Sequence, residues 1–470
     1  MEKMNITVEC ETTEEIVLST TESVCPECLQ RIPAKRIAKG HNVYMQKHCP
    51  QHGEYRVRIW EGEPEYTSWK NPQNPHAPVA CATEEKQGCP YDCGLCPSHK
   101  QQTCCVLLEV TNQCNLQCPV CFAAASPADK NEPGLAVIAK WYNMLLQSGG
   151  PFNIQLSGGE PTLRDDLPDI ITMGKQKGFD FFQINTNGLR LAVDEEYVSR
   201  LKAAGLNCVF LQFDGVDDSV YRKLRGKDLL AIKQCAIEMC AAYELGVVLV
   251  PTLVPRVNDD QIGKILKFAV STMPVVRGVH FQPISYFGRY PAAPQDSDRI
   301  TLPRVLREME KQTAGLIKAT YFRPPGGEHA HCSFHGNFVL LPNGKLKPLV
   351  EDNANSCCCQ GNEPANGSKR ARQFVARQWS APLKSAVIQK PAAASSQHVG
   401  NTDSLDDFLK RVQTYTLAIS GMAFQDAWTL DVERLQQCFI HVVSPDNTLV
   451  PFCAYNLTNS RGEALHRRKK

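Results

Sequence analysis

VTNQCNLQCPVCFA, residues 110–123, sets three cysteines within eight positions as Cys114-x3-Cys118-x2-Cys121. With 22 cysteines in 470 residues, a given spacing of this kind arises by chance in roughly 0.05 places per chain, so the triplet reads as a metal site. Iron–sulfur cubes usually take four thiolates. A cube on three keeps one iron open, as catalytic zinc sites keep an open position. An open iron binds a small chelating molecule and passes it one electron.

Outward from the triplet, short apolar runs alternate with helical stretches. The runs are CVLLEV (105–110), NIQLSGGE (153–160), FDFFQINTNG (179–188), CVFLQFDG (208–215), VVLVPTLVP (247–255) and VRGVHFQPIS (276–285). Such alternation predicts an α/β fold with a parallel sheet, and six units suit a partial (βα)6 barrel rather than a closed eightfold one. The polar motifs TNQC, SGGEP, NTNG, FDG, PTLVP and QPIS all fall after these runs, where parallel barrels place their chemistry. Ordinary βα turns account for one or two of them. Six at the same relative place favour a site.

Composition narrows the class. Lys+Arg 51 against Asp+Glu 49 gives no bulk charge for nucleic acid, and the basic end at 466–470 reads as a solvated tail or a peripheral contact with an anionic membrane surface. The N-terminus MEKMNITVECETTEE lacks an apolar core segment, and no run of about 18 apolar residues occurs. Clustered cysteines in such a cytoplasmic chain point to metal sites rather than disulfides. By these patterns the chain divides into an N-terminal zinc-ribbon or rubredoxin-like region (1–80), an auxiliary cluster segment (81–104), the barrel (105–300), an extension (301–359), a low-complexity linker (360–402) and a C-terminal auxiliary-cluster segment (403–470).

CxxxCxxC after the first strand, with Ser157-Gly158-Gly159-Glu160-Pro161 after the second, resembles the radical S-adenosylmethionine superfamily. The resemblance implies that Cys114, Cys118 and Cys121 hold a catalytic [4Fe-4S] cluster whose open iron is chelated by the methionine moiety of S-adenosylmethionine. It implies that Gly158, Gly159, Glu160 and Pro161 meet that moiety, the glycines by close backbone approach and Glu160 as acceptor for an ammonium. It further implies Asn185 and Asn187 near the ribose, residues 251–255 near adenine, and Asp214 of the FDG end among the cofactor-binding residues. One departure is Val120, where the superfamily often has an aromatic residue; here the aromatic is Phe122. Residues 24–348 and 416–458 are similar to one subgroup, that of tetraether lipid synthases, pterin-methylating enzymes and uncharacterised bacterial relatives. The implied chemistry is reductive cleavage to a 5′-deoxyadenosyl radical that attacks an unactivated C–H bond. Implied partners are a ferredoxin- or flavodoxin-type donor and a lipid or small-molecule substrate. Lipid carbon–carbon coupling ranks slightly first, on a possible channel of Phe122, Phe210, Phe213, Phe281, Tyr286 and Phe287; methylation of a pterin-like molecule is the alternative.

Three more metal sets are legible. Cys25-x2-Cys28 with Cys49-x2-His52 has the spacing of a mononuclear zinc or iron site. Cys89, Cys93 and Cys96, with Cys104 as fourth ligand, suit a closed auxiliary [4Fe-4S] cube. Cys332, Cys438 and Cys453 form a third set, to which the triple cysteine 357–359 is a further candidate, and His441 lies between two of these ligands. A multi-cluster electron carrier would explain the thiols but not the strand-end motifs. A zinc-ribbon nucleic-acid module would need a basic, aromatic-rich face, which the balanced charge does not supply. Metal analysis of anaerobically reconstituted protein is expected to find about 12 irons, at four per cube, plus one mononuclear ion; only four irons would refute both accessory cubes.

Overall fold

The computed structural model describes residues 14–71, 75–349, 367–382 and 405–467. The triple cysteine 357–359 lies outside them. The chain opens with strands β1 (Glu15–Val24), β2 (Arg31–Lys39), β3 (Asn42–Cys49) and β4 (Gly53–Glu61), an antiparallel meander. Alternate side chains of β2 are buried and exposed, the signature of a sheet covered on one face.

The barrel follows as β5 (Cys105–Thr111), α1 (Leu135–Gln147), β6 (Asn153–Gly158), α2 (Leu167–Gln176), β7 (Phe182–Thr186), α3 (Glu195–Ala204) and β8 (Cys208–Gln212). It continues through α4 (Asp218–Arg225), α5 (Leu230–Ala242), β9 (Gly246–Val250), β10 (Thr252–Leu253), α6 (Ile262–Ser271) and β11 (Val276–Pro283). Every residue of β6 and β9 is buried, as strands covered on both faces require. Two of these helices start at side-chain caps: Asp194 accepts from the Tyr197 N–H and Asp217 from the Ser219 N–H. Gly205 and Gly226 end the same two helices in the left-handed conformation.

The six predicted strands are present, but the parallel run is longer. After α7 (Leu302–Gln312), β12 (Ser333–Leu340), β13 (Leu346–Pro348), α8 (Gly367–Trp379) and α9 (Leu405–Thr414) come β14 (Thr416–Met422), α10 (Val432–Gln436), β15 (Ile440–Val443), β16 (Leu449–Pro451) and α11 (Phe452–Tyr455). β14 pairs parallel with β11, and β15 pairs parallel with β5. The sheet order is β13-β12-β14-β11-β9-β8-β7-β6-β5-β15-β16. Eight neighbouring strands are thus parallel, two of them supplied by the segment expected to serve only a cluster.

A second correction concerns the 360–402 linker. Residues 367–379 form α8, which lies across the N-terminal ends of the barrel strands. Asn153 Nδ2 donates to the Arg372 carbonyl, Arg277 Nε to the Gln378 carbonyl and Gln378 Nε2 to the Thr416 carbonyl. Gly246, the first residue of β9, has no room for a side chain because a Cβ there would sit 2.0 Å from the Trp379 carbonyl oxygen.

The N-terminal sheet is fastened to α10 by a buried ion pair. Arg36 donates to Asp431 through Nε at 2.9 Å and Nη2 at 2.7 Å, and Lys47 Nζ donates to the Ala427 carbonyl. Arg36→Met leaves Asp431 buried without its cation, a loss of about 3–5 kcal/mol. The thermal unfolding midpoint of the full chain is expected to fall measurably; an unchanged midpoint would show that the pair does not couple the two parts.

Candidate active site and metal centres

The triplet loop hangs from the C-terminal end of β5. Cys114 N–H donates to the Ser126 carbonyl, and Cys121 and Arg289 exchange backbone hydrogen bonds of 2.9 Å in both directions. Arg289 Nε also donates to the Cys118 carbonyl at 2.8 Å. Gly288 permits this pairing: a Cβ there would lie 2.3 Å from the Phe122 carbonyl oxygen. All three cysteines line one cavity and none is in a disulfide. Burial pushes the Cys114 thiol up to about 12, a cost that a bound metal cluster's positive charge offsets. Three convergent soft donors fit a three-thiolate iron–sulfur cluster.

The SGGEP segment lies directly against this loop. Gly159 N–H donates to the Thr111 carbonyl at 2.7 Å and Glu160 N–H to the Gln113 carbonyl at 2.8 Å. A Cβ on Gly158 would come within 2.1 Å of the Thr111 oxygen, and one on Gly159 equally close to that of Gln113. The chain itself therefore demands both glycines, whatever ligand they also meet. Glu160 is 1% exposed. Its Oε1 accepts from Thr162 N–H and from the hydroxyls of Thr162 and Thr186, and among the described residues its Oε2 accepts only from Asn187 N–H. Oε2 keeps a free lone pair for a ligand cation. Pro161 starts the short turn that follows.

Asn187 is buried and donates through Nδ2 to Asn115 Oδ1 at 2.7 Å, tying β7 to the triplet loop. Asn185 lines the cavity. Asp214 does not: it is fully buried and grips Arg225 bidentately, Nε to Oδ2 at 2.7 Å and Nη2 to Oδ1 at 2.9 Å. Arg225, which the sequence did not single out, lines the cavity in its place. Burial opposes its charge, yet Asp214 and Cys118 hold its pKa above the ordinary value. Asp214 is thus a positioning residue.

The cavity measures about 310 Å³ and runs inward from the triplet through the barrel. Its middle carries carboxamides from Asn153, Gln155, Gln183, Asn185, Gln212 and Gln282; its floor is Ala371, Val375 and Trp379 of α8. Of the six aromatics expected to line a channel, Phe122, Phe210 and Phe287 do so. Phe213 and Phe281 are wholly buried in the core, and Tyr286 donates to the Asp298 carbonyl. The carboxamides had a signal in the sequence: polar residues at alternate positions of otherwise apolar strands, NIQLSG and FQINT, mark an inner barrel face.

Cys25, Cys28, Cys49 and His52 place their ligand atoms within 4.8 Å of one another. Cys25 Sγ and Cys49 Sγ lie 3.6 and 3.4 Å from His52 Nδ1, and Cys28 Sγ lies 4.0 Å from Cys49 Sγ. Tetrahedral zinc bonds of about 2.3 Å to sulfur and 2.0 Å to nitrogen imply edges of roughly 3.5–3.8 Å. The donors fit a single ion.

Cys89, Cys93 and Cys96 also converge, with Cys93 raised by the neighbouring Cys89 thiol, by burial, and by Cys96 and Cys438. Cys104 does not join them. It is buried beside Cys105, Arg372 and Glu328 and lines the barrel cavity. Cys438 lies close enough to add to the Cys93 shift, while its own thiol neighbours are Cys453 and Cys332. Cys332, Cys438 and Cys453 border one small cavity where residues 422–425 at the end of β14 meet residues 438–440 at the start of β15. Arg434 Nε donates to Cys332 Sγ at 3.4 Å. His99 contacts the Cys438 carbonyl through Nε2 at 2.8 Å, and His441, fully buried against His99, has no partner for either ring nitrogen among the described residues.

Comparison with known proteins agrees with this geometry. The description "HMPTM N-terminal zinc ribbon domain" matches residues 17–61, and "Radical SAM superfamily" matches residues 108–269. The chain is 35% identical to 7,8-dihydro-6-hydroxymethylpterin dimethyltransferase of Methanocaldococcus jannaschii, with 93% of each chain covered. A probable GTP 3′,8-cyclase of Archaeoglobus fulgidus is 28% identical over 52% of this chain and 84% of its own. The Streptococcus suis SuiB crystal structure aligns with a TM-score of 0.37 at 16% identity, covering 46% of this chain and 47% of that one. No described helix is long and apolar enough to cross a membrane. Triplet, strand ends, ribbon and a relative matched along nearly its whole length have one common explanation: the chain belongs to the radical S-adenosylmethionine superfamily, uses a [4Fe-4S] cluster and S-adenosylmethionine, and is an enzyme.

Proposed function

We propose that the chain methylates a pterin-like heterocycle, the reading placed second in the sequence. The observation that carries it is the 35% identity to a pterin dimethyltransferase across 93% of both chains. The carboxamides that line the cavity also suit a polar ring better than a hydrocarbon chain.

Cys114, Cys118 and Cys121 hold the cluster in this reading, which when reduced supplies the electron that cleaves S-adenosylmethionine. The protein's part is binding, orientation and exclusion of water. Glu160 Oε2 takes the ammonium of the bound methionine moiety, Asn185 faces the ribose, and Arg225 balances the thiolate charge beside Cys118. Cys89, Cys93 and Cys96 would hold one auxiliary cube and Cys332, Cys438 and Cys453 another, which would supply a route for electrons from a ferredoxin- or flavodoxin-type donor. The ribbon ion is a staple for a sheet with little core of its own.

Anaerobic turnover with 7,8-dihydro-6-hydroxymethylpterin, excess S-adenosylmethionine (one molecule cleaved to the radical, a second as methyl donor) and a low-potential reductant supplying the electrons is expected to give 5′-deoxyadenosine and a methylated pterin by mass spectrometry. Coupled membrane-lipid chains with no pterin product would overturn the reading. Cys114→Ala, Cys118→Ala and Cys121→Ala should each abolish 5′-deoxyadenosine formation; retention in any one would sink the cluster assignment.

A further inference from the structure

Two neighbouring carboxamides in the barrel have hydrogen-bonding capacity that the chain leaves unused. Gln155 on β6 and Gln183 on β7 sit side by side in the parallel register. Gln183 Nε2 donates to Gln155 Oε1 at 3.1 Å. That bond fixes the pair and leaves two groups over: the Gln155 NH2 as donor, and Gln183 Oε1 as acceptor. Gln183 is 3% exposed and its Oε1 has no partner among the described residues, although a buried unpaired acceptor costs about 1–3 kcal/mol. Both side chains line the cavity.

The surroundings restrict what such a pair can read. In the same cavity, the Phe210 ring lies 5.2 Å from Trp379 of α8 and 5.5 Å from His280, which burial keeps neutral. These are faces for a flat ring. Among the described residues lining the cavity, the only acidic or basic side chains besides His280 are Glu160 and Arg225, and Arg225 is already held by Asp214. A phosphorylated ligand would find no free cation there.

We propose that Gln155 and Gln183 are the substrate-reading pair: they recognise the N–H and C=O of a lactam edge on an uncharged planar heterocycle that lies against Phe210 and Trp379. The proposal rests on the pterin reading above and adds which edge is read and by which residues. Gln183 accepts from the lactam N–H while Gln155 donates to the adjoining carbonyl. Donor and acceptor are complementary in the right sense, and an edge lacking the N–H leaves Gln183 buried and unpaired again.

The test is binding to the full, anaerobically reconstituted chain without turnover, followed by the fluorescence of two probes: 6-hydroxymethylpterin and its derivative methylated at the lactam nitrogen. Wild type should bind the methylated probe about 10- to 100-fold more weakly. Gln183→Leu, with metal content equal to wild type, should bind 6-hydroxymethylpterin weaker by a similar factor and show little further loss on methylation, since both changes remove one hydrogen bond. The wild-type arm stands even where the variant does not fold. Equal binding of both probes by wild type, or additive losses in the variant, would overturn the assignment while leaving the proposed function intact. No binding of either pterin by wild type would overturn both.

Discussion

The site depends on how closely the ends of β5 and β6 approach. Two backbone bonds, from Gly159 N–H to Thr111 and from Glu160 N–H to Gln113, join the start of the triplet loop to the SGGEP turn. The contact is too tight for any side chain at residues 158 and 159. Glu160 then carries the constraint to β7 through the Thr186 hydroxyl and Asn187 N–H, and Asn187 returns it to the loop at Asn115. Three strand ends and the cysteine loop are thereby held by one ring of bonds. Preorganisation of this kind lets a site bind and orient a ligand without first reshaping itself.

Charge around that ring is compensated within the chain. Asp214 neutralises Arg225, Arg225 faces Cys118, and the buried Lys233, which burial lowers to about 8, donates to the Asn187 carbonyl. Each ion is costly alone in so dry a place and tolerable in company. The result is a rim with charged groups and a deeper interior of neutral amides and aromatic faces.

Much of this was legible in the sequence because local patterns determine it. Apolar runs at crossover spacing gave the six central strands, and short-range cysteine spacings gave the ribbon and two triplets. What escaped depends on contacts between distant segments. β14 and β15 are short apolar stretches with no periodic signal of their own, and only pairing with β11 and β5 makes them barrel strands. α8 reads as GSKRARQFVARQW, a cationic helix between low-complexity flanks, so composition masked it. The absence of Cys104 from the Cys93 set has the same origin, because sequence proximity favoured Cys104 while the fold carries it to the barrel cavity. Asp214 matched a motif yet serves Arg225, which lies on the next helix.

The flanking strands bear on how this protein is made. β5 and β11 are formed early in synthesis, but their outer edges are covered only by β15 and β14, from the far end of the chain. Until residues 416–443 have been translated, both edges of a parallel sheet expose unpaired amides and carbonyls, the arrangement most prone to pairing with another chain. Closing such long loops also carries an entropic penalty that slows folding. The nascent barrel therefore passes through an interval of open edges, and a ribosome that stalls short of β14 leaves a catalytic sheet with every central strand in place and neither side sealed.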